Sequence, residues 1–94
     1  MTRVELLGKL RELKPWLEEQ GIVNVRLFGS SARDEAGPDS DVDLLVDTSK
    51  RLGFRFFGIE RELSSKLGTT VEMSSDEGIH RLVRKQILRD LVHV

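Results

Sequence analysis

Cysteine is absent from the chain, which removes disulfides, a thiolate nucleophile and cysteine metal sites together. Two prolines and eight glycines are no excess, so the composition is not that of a fibrous or disordered segment. There is no basic surplus either. Fifteen Lys and Arg stand against sixteen Asp and Glu, a net charge of −1, and direct nucleic-acid binding is not expected. No apolar run approaches the ~20 residues of a membrane span. The opening "MTRVELLGKL" carries charges at Arg3, Glu5 and Lys9, unlike a secretory leader. What these absences leave is a soluble, cytoplasmic chain. Its 94 residues read as one domain, 1–94. A chain of this size has room for a single modest core, burying roughly 60–65% of the unfolded surface.

Apolar periodicity divides the chain. Thr2 and Glu5 read as a capping box, in which hydroxyl and carboxylate satisfy free helix N–H groups. Leu6, Leu10, Leu13 and Leu17 then recur at helical spacing as far as Gly21, and Pro15 is expected to kink or divide that helix. "IVNVRLF", Ile22 to Phe28, is a β-branched strand, and Asp41 to Val46 is a second, with Gly37, Pro38 and Asp39 marking a loop between them. Leu52, Phe56, Ile59, Leu63 and Leu67 fit a helix over about Arg51 to Leu67, stopped by Gly68. Thr69 to Met73 reads as a third strand. Ile79, Leu82, Val83, Ile87 and Leu88 line a last helix, and "LVHV" finishes as a short strand. This order implies an α+β fold, a small mixed sheet with helices packed on one face.

The second strand holds a puzzle. Aspartate is depleted from strands, yet Asp41 and Asp43 stand two apart in one. Side chains alternate, so the two carboxylates share a face at roughly 6.5–7 Å, while Val42, Leu44 and Val46 pack inward. Carboxylates so placed repel unless a cation sits between them, and Mg²⁺ suits oxygen ligands combined with substrate phosphates. Upstream, strand, then Gly29-Ser30, then a helix start at Ser31-Ala32-Arg33 points backbone N–H groups at a positive dipole end. Gly29 lets a phosphate approach the backbone and the Ser30 hydroxyl can donate to it. A phosphate cradle beside metal carboxylates is the layout of phosphoryl or nucleotidyl transfer.

"GSSAR" followed by "SDVDLLV" resembles the Gly-Ser-x-Ala-Arg…Ser-Asp-x-Asp signature of the polymerase-β-like nucleotidyltransferases, and the chain's length resembles their minimal nucleotidyltransferase branch. The resemblance implies a polymerase-β-like fold, two Mg²⁺ ions, ATP as substrate, and transfer of AMP to an acceptor hydroxyl. It implies metal ligation by Asp41 and Asp43, and nucleotide binding by Gly29, Ser30 and Arg33. It also implies a third carboxylate on a later strand, and the matching position is Glu72, where many relatives carry Asp. Val71 and Met73 are apolar and turn Glu72 toward the aspartates' face, so it would ligate metal and help take the acceptor's proton. Branch members are commonly encoded beside an all-helical HEPN partner, a ribonuclease toxin, and act as its antitoxin by AMP transfer to a toxin tyrosine. Since 94 residues leave no room for a substrate domain, the acceptor surface must come from a partner or a second copy of the chain.

Plainer readings stand beside these. Asp41 and Asp43 would also serve a solvent-facing edge strand guarded against aggregation. Glu72 would fit a solvated strand face, and Arg33 an ion pair instead of a phosphate. Arg81, Arg84, Lys85 and Arg89 make a basic face on the last helix, solvated or in contact with a partner or triphosphate. His80 and His93 lack ligand spacing, and Trp16 belongs to the core or an interface. Two rival functions remain: a binding-only antitoxin with a vestigial nucleotide site, and a nucleotidyltransferase acting on a small molecule or an RNA end.

Overall fold

A computed structural model describes residues 2–33, 41–75 and 91–94. The expected loop at Gly37 to Asp39 and the expected last helix, with His80 and its basic face, lie outside the described residues. The elements run α1 (Arg3–Gln20), β1 (Ile22–Phe28), β2 (Val42–Thr48), α2 (Arg55–Leu67), β3 (Val71–Ser75) and β4 (Val92–His93). The sheet is mixed, in the order β3-β2-β1-β4. β1 pairs antiparallel with both β2 and β4, whereas β2 and β3 run parallel through the α2 crossover. The α+β fold expected from the sequence is the one found.

Each boundary has a local cause. Thr2 caps α1, its hydroxyl oxygen accepting from the Glu5 N–H at 3.2 Å. The reciprocal half of the capping box takes another form: the Thr2 hydroxyl donates to the Glu5 carboxylate at 3.2 Å. Gly21 closes the helix at φ +93, its N–H donating to Glu18 O at 3.0 Å. Pro15 does not divide α1, which runs unbroken through it for 18 residues. The interior proline forfeits one backbone bond, at a cost of about 3 kcal/mol. Leu10 and Leu17, each buried on either side of it, hold both halves against the same core. The second helix begins four residues after the expected start near Arg51, because Gly53 at φ +55 interrupts the approach from Leu52.

One irregularity in β1 decides what faces inward. Strict alternation from Leu27 and Val25 would bury Val23 and expose Ile22. Instead the register with β2 shifts between Val23 and Arg26, and Asn24 takes φ +50, a left-handed conformation that asparagine tolerates. The extra residue brings Ile22 inward with Val25 and Leu27. There they join Val42, Leu44, Val46, Val71 and Met73 beneath the buried leucines of α1 and Ile59, Leu63 and Leu67 of α2. Trp16 lies half-buried at the margin of this core, with Lys66 Nζ 4.9 Å from its ring centroid. The opposite sheet face carries Asp43, Leu45 and Asp47 on β2, of which Leu45 is fully buried. Among the described residues no helix is long and apolar enough to cross a membrane.

Candidate active site

The end of β1 meets the start of β2 because the strands are antiparallel, with Phe28 opposite Asp43. Gly29 follows at φ +77, strained for any residue with a side chain. Space imposes a second constraint. A Cβ at Gly29 would lie 2.8 Å from Asp43 Oδ2, so only glycine lets this turn rest against that carboxylate. The Gly29 carbonyl accepts from the N–H of Ala32 at 3.1 Å and of Arg33 at 3.3 Å, the bonding of an opening helical turn. Arg3 of α1 clamps the turn from behind, its Nη1 donating to Ala32 O at 3.1 Å. Ser31 and Ala32 are buried, Ser30 is half-buried and Arg33 is exposed. The expected helix start is therefore a hydrogen-bonded turn as far as Arg33, and the segment beyond lies outside the described residues.

On its other side Asp43 neighbours Glu72, its register partner in the parallel β2–β3 pair. Burial raises the Asp43 pKa above the ordinary aspartate value. The negative charges of Glu72 and Asp41 and a hydrogen bond with the Glu72 side chain act in the same direction. Asp41 is exposed and stands one residue ahead of β2, near enough for its charge to be felt. The structure thus brings Gly29, Asp43 and Glu72 together, with Asp41 at the margin. Among the described residues no three His, Cys, Asp or Glu side chains are grouped so as to hold a metal ion between them. The ready-made unit is the Asp43–Glu72 pair. Its chemistry suits a hard divalent cation: the donors are carboxylate oxygens that repel one another when ionised, and the space over Asp43 is kept clear of a Cβ.

Sequence reasoning passed over several residues that matter here. Asp47 extends the aspartate face of β2 and is held by Arg26 Nη2 at 3.0 Å and Asn24 Nδ2 at 2.9 Å. Arg3 gave no signal as a clamp, nor did Glu60 and Ser64 of α2, which bond to β3. A cleft of about 270 Å³ lined by Thr48, Arg51, Leu52, Gly53, Phe56 and Ser75 opens at the far end of β2 and β3. Among the described residues no carboxylate lines it, and Asp43 and Glu72 stand at the opposite ends of those strands.

Known proteins resemble this chain along its whole length. A family described as Nucleotidyltransferase domain matches residues 5–94. Protein adenylyltransferase MntA of Thermococcus cleftensis is 33% identical, over 100% of this chain and 97% of its own length. MJ1217 of Methanocaldococcus jannaschii, named for the same activity, is 32% identical over 99% and 98%. Among solved structures, a minimal nucleotidyltransferase superposes with a TM-score of 0.86 at 33% identity, covering 100% of this chain and 97% of that one. A toxin–antitoxin assembly with AMP-PNP shares the fold at a TM-score of 0.70 and 18% identity, covering 99% of this chain and 72% of that one.

Proposed function

The chain belongs to the nucleotidyltransferase domain family, and from that premise we propose that it is a one-domain protein adenylyltransferase that moves AMP from ATP onto a hydroxyl of a partner protein, acting as an antitoxin. The acceptor is a tyrosine of a HEPN-type helical toxin, and the reaction takes place in the cytoplasm. One observation carries this reading. The Gly29 turn lies so close to the Asp43 carboxylate that a single added carbon would collide with it, and this closeness supports reading the turn and the carboxylate as the phosphate and metal elements of one site.

Each residue has a task there. Backbone amides from Gly29 to Ser31 and the Ser30 hydroxyl hold the β- and γ-phosphates, with Arg33 at the exposed rim. Asp43, Asp41 and Glu72 would hold two Mg²⁺ ions. When bound, these supply neutralisation of the triphosphate and of the leaving pyrophosphate. The acceptor oxygen bonds to the α-phosphorus, the bond from that phosphorus to the β-bridging oxygen breaks, and pyrophosphate leaves. Glu72, exposed where Asp43 is half-buried, receives the acceptor's proton. Relatives about one-third identical that are named protein adenylyltransferases support the acceptor class.

The test is incubation with α-labelled ATP, Mg²⁺ and the product of the neighbouring gene. Label should pass to a tyrosine of that protein, and Asp43→Asn should reduce transfer by about 100-fold or more with the fold intact. Unlabelled but neutralised partner would instead establish a binding-only antitoxin, and an Asp43→Asn variant of full activity would remove the metal role.

A further inference from the structure

β3 is an outer strand of the sheet. One of its edges bonds to β2. Successive N–H groups alternate across a strand, so every second one points outward and needs another partner. Two of these are met by side chains of α2. Val71 N–H donates to Ser64 Oγ at 2.9 Å, and Met73 N–H donates to Glu60 Oε2 at 2.7 Å. Ser64 is itself locked, its hydroxyl donating to Glu60 O at 2.9 Å. The spacings match: donors two apart on a strand are separated by roughly 6.5–7 Å, and acceptors four apart on a helix by about 6 Å. One face of α2 therefore takes the place that a neighbouring strand would have.

The residue between the two tied amides is Glu72. With Val71 and Met73 buried under α2, its side chain is left on the far face, beside Asp43. We propose that Glu60, assisted by Ser64, is a positioning residue: it fixes the height of β3 against β2 and so holds the Glu72 carboxyl in register with Asp43. This rests on the reading of Glu72 as an active-site carboxylate. Glu60 acts through the Met73 backbone. A carboxylate oxygen is the strong acceptor such a tie needs, since a bond from an amide to an ionised group is shorter and stronger than one to a neutral group.

Amide exchange and a double-mutant cycle test this together, with the labelled-ATP reaction as the activity readout. Glu60→Ala should speed exchange at Met73 and Val71, slow kcat by about 10-fold through displacement of Glu72, and leave the KM for ATP within about twofold. Glu60→Gln, which keeps an acceptor oxygen, should restore most of the rate. Combined with Glu72→Gln, Glu60→Ala should slow transfer no further, because the carboxyl it positions is gone. A strap that merely stabilises the fold would give additive losses, and that result overturns the proposal. So does unaltered transfer by Glu60→Ala where Glu72→Gln alone is slow. Transfer untouched by Glu72→Gln would instead strike the acceptor-side role of Glu72, and the positioning role with it. Should Glu60→Ala fail to fold, Ser64→Ala frees only Val71 N–H and carries the same cycle with a smaller slowing.

Discussion

Asp43 and Asp47 stand four residues apart on one face of β2, and their surroundings are opposite in kind. Asp47 has a cationic partner in Arg26 and a neutral donor in Asn24, one on each of its oxygens. Asp43 has acids for neighbours, with Glu72 across the strand pair and Asp41 two residues back, and it is partly withdrawn from water. The first carboxylate is neutralised within the chain. The second has acidic neighbours instead, at a point where the backbone also makes room, an arrangement consistent with the proposed cation site. Equal residues in one strand thus do unequal work, and the partners across the strand decide which.

Filling the room beside Asp43 should break the comparison most sharply. Gly29→Ala forces a left-handed conformation on a residue with a side chain, at roughly 1–2 kcal/mol, and sets its methyl against Asp43 Oδ2. ATP binding should weaken by on the order of 10-fold or more in calorimetry, and transfer should fall further, since the carboxylate itself must shift. ATP affinity equal to the parent's would mean that the turn does not seat the phosphates.

Asp47 should respond the other way, in stability and not in chemistry. Asp47→Ala removes the charged partner of the Arg26 guanidinium, whose side chain is only 12% exposed. Arg26 Nε keeps the Leu45 carbonyl at 3.4 Å. Loss of a charged partner at such a site costs about 1–3 kcal/mol, here toward the lower end because Asp47 is itself 36% exposed. Tm should drop by about 4–8 °C per kcal/mol for a domain of this size, with transfer preserved well below the transition. A variant as stable as the parent would show that the pair contributes nothing.

The smallest expected effect is the dependence of stability on pH. Burial first, and then its acidic neighbours, raise the pKa of Asp43 above the value it has in the unfolded chain. The folded state therefore holds this proton more tightly. Its contribution to stability is complete below the unfolded pKa and is lost as pH rises through the folded one. In metal-free protein, Asp43→Asn should match the parent at acid pH and exceed it in Tm by a few degrees at neutral pH. Saturating Mg²⁺ should raise the parent's Tm and close the gap. A gap that does not widen with pH would show that Asp43 carries no excess charge.

What could be read in advance follows from how local the cause is. The bounds of β1 come from a β-branched run followed by Gly29, and both helix stops come from glycines with positive φ, all visible in a few adjacent letters. The closeness of the Gly29 turn to Asp43 was foreshadowed by their short spacing and by an aspartate out of place in a strand, whereas Asp41, expected inside that strand, lies one residue ahead of it. Pro15 does not divide its helix, because tertiary burial of Leu10 and Leu17 outweighs a local penalty. The shift at Asn24 was hidden because it is defined by register against β2, and a strand sequence carries no record of its partner. Glu60 and Ser64 look like ordinary polar helix positions until β3 is laid beside them, and Asp47 gained its meaning only when Arg26 was placed opposite.

The tie between α2 and β3 also bears on how this protein meets others. An outer strand normally offers a row of free N–H groups on which a second chain can add a strand, the commonest route to fibrous association. Here those at Val71 and Met73 are already occupied, and the other outer strand, β4, is only two residues long. Among the described residues neither margin gives a template for sheet extension. Concentrated solutions of the folded chain should therefore resist association through these two strand edges.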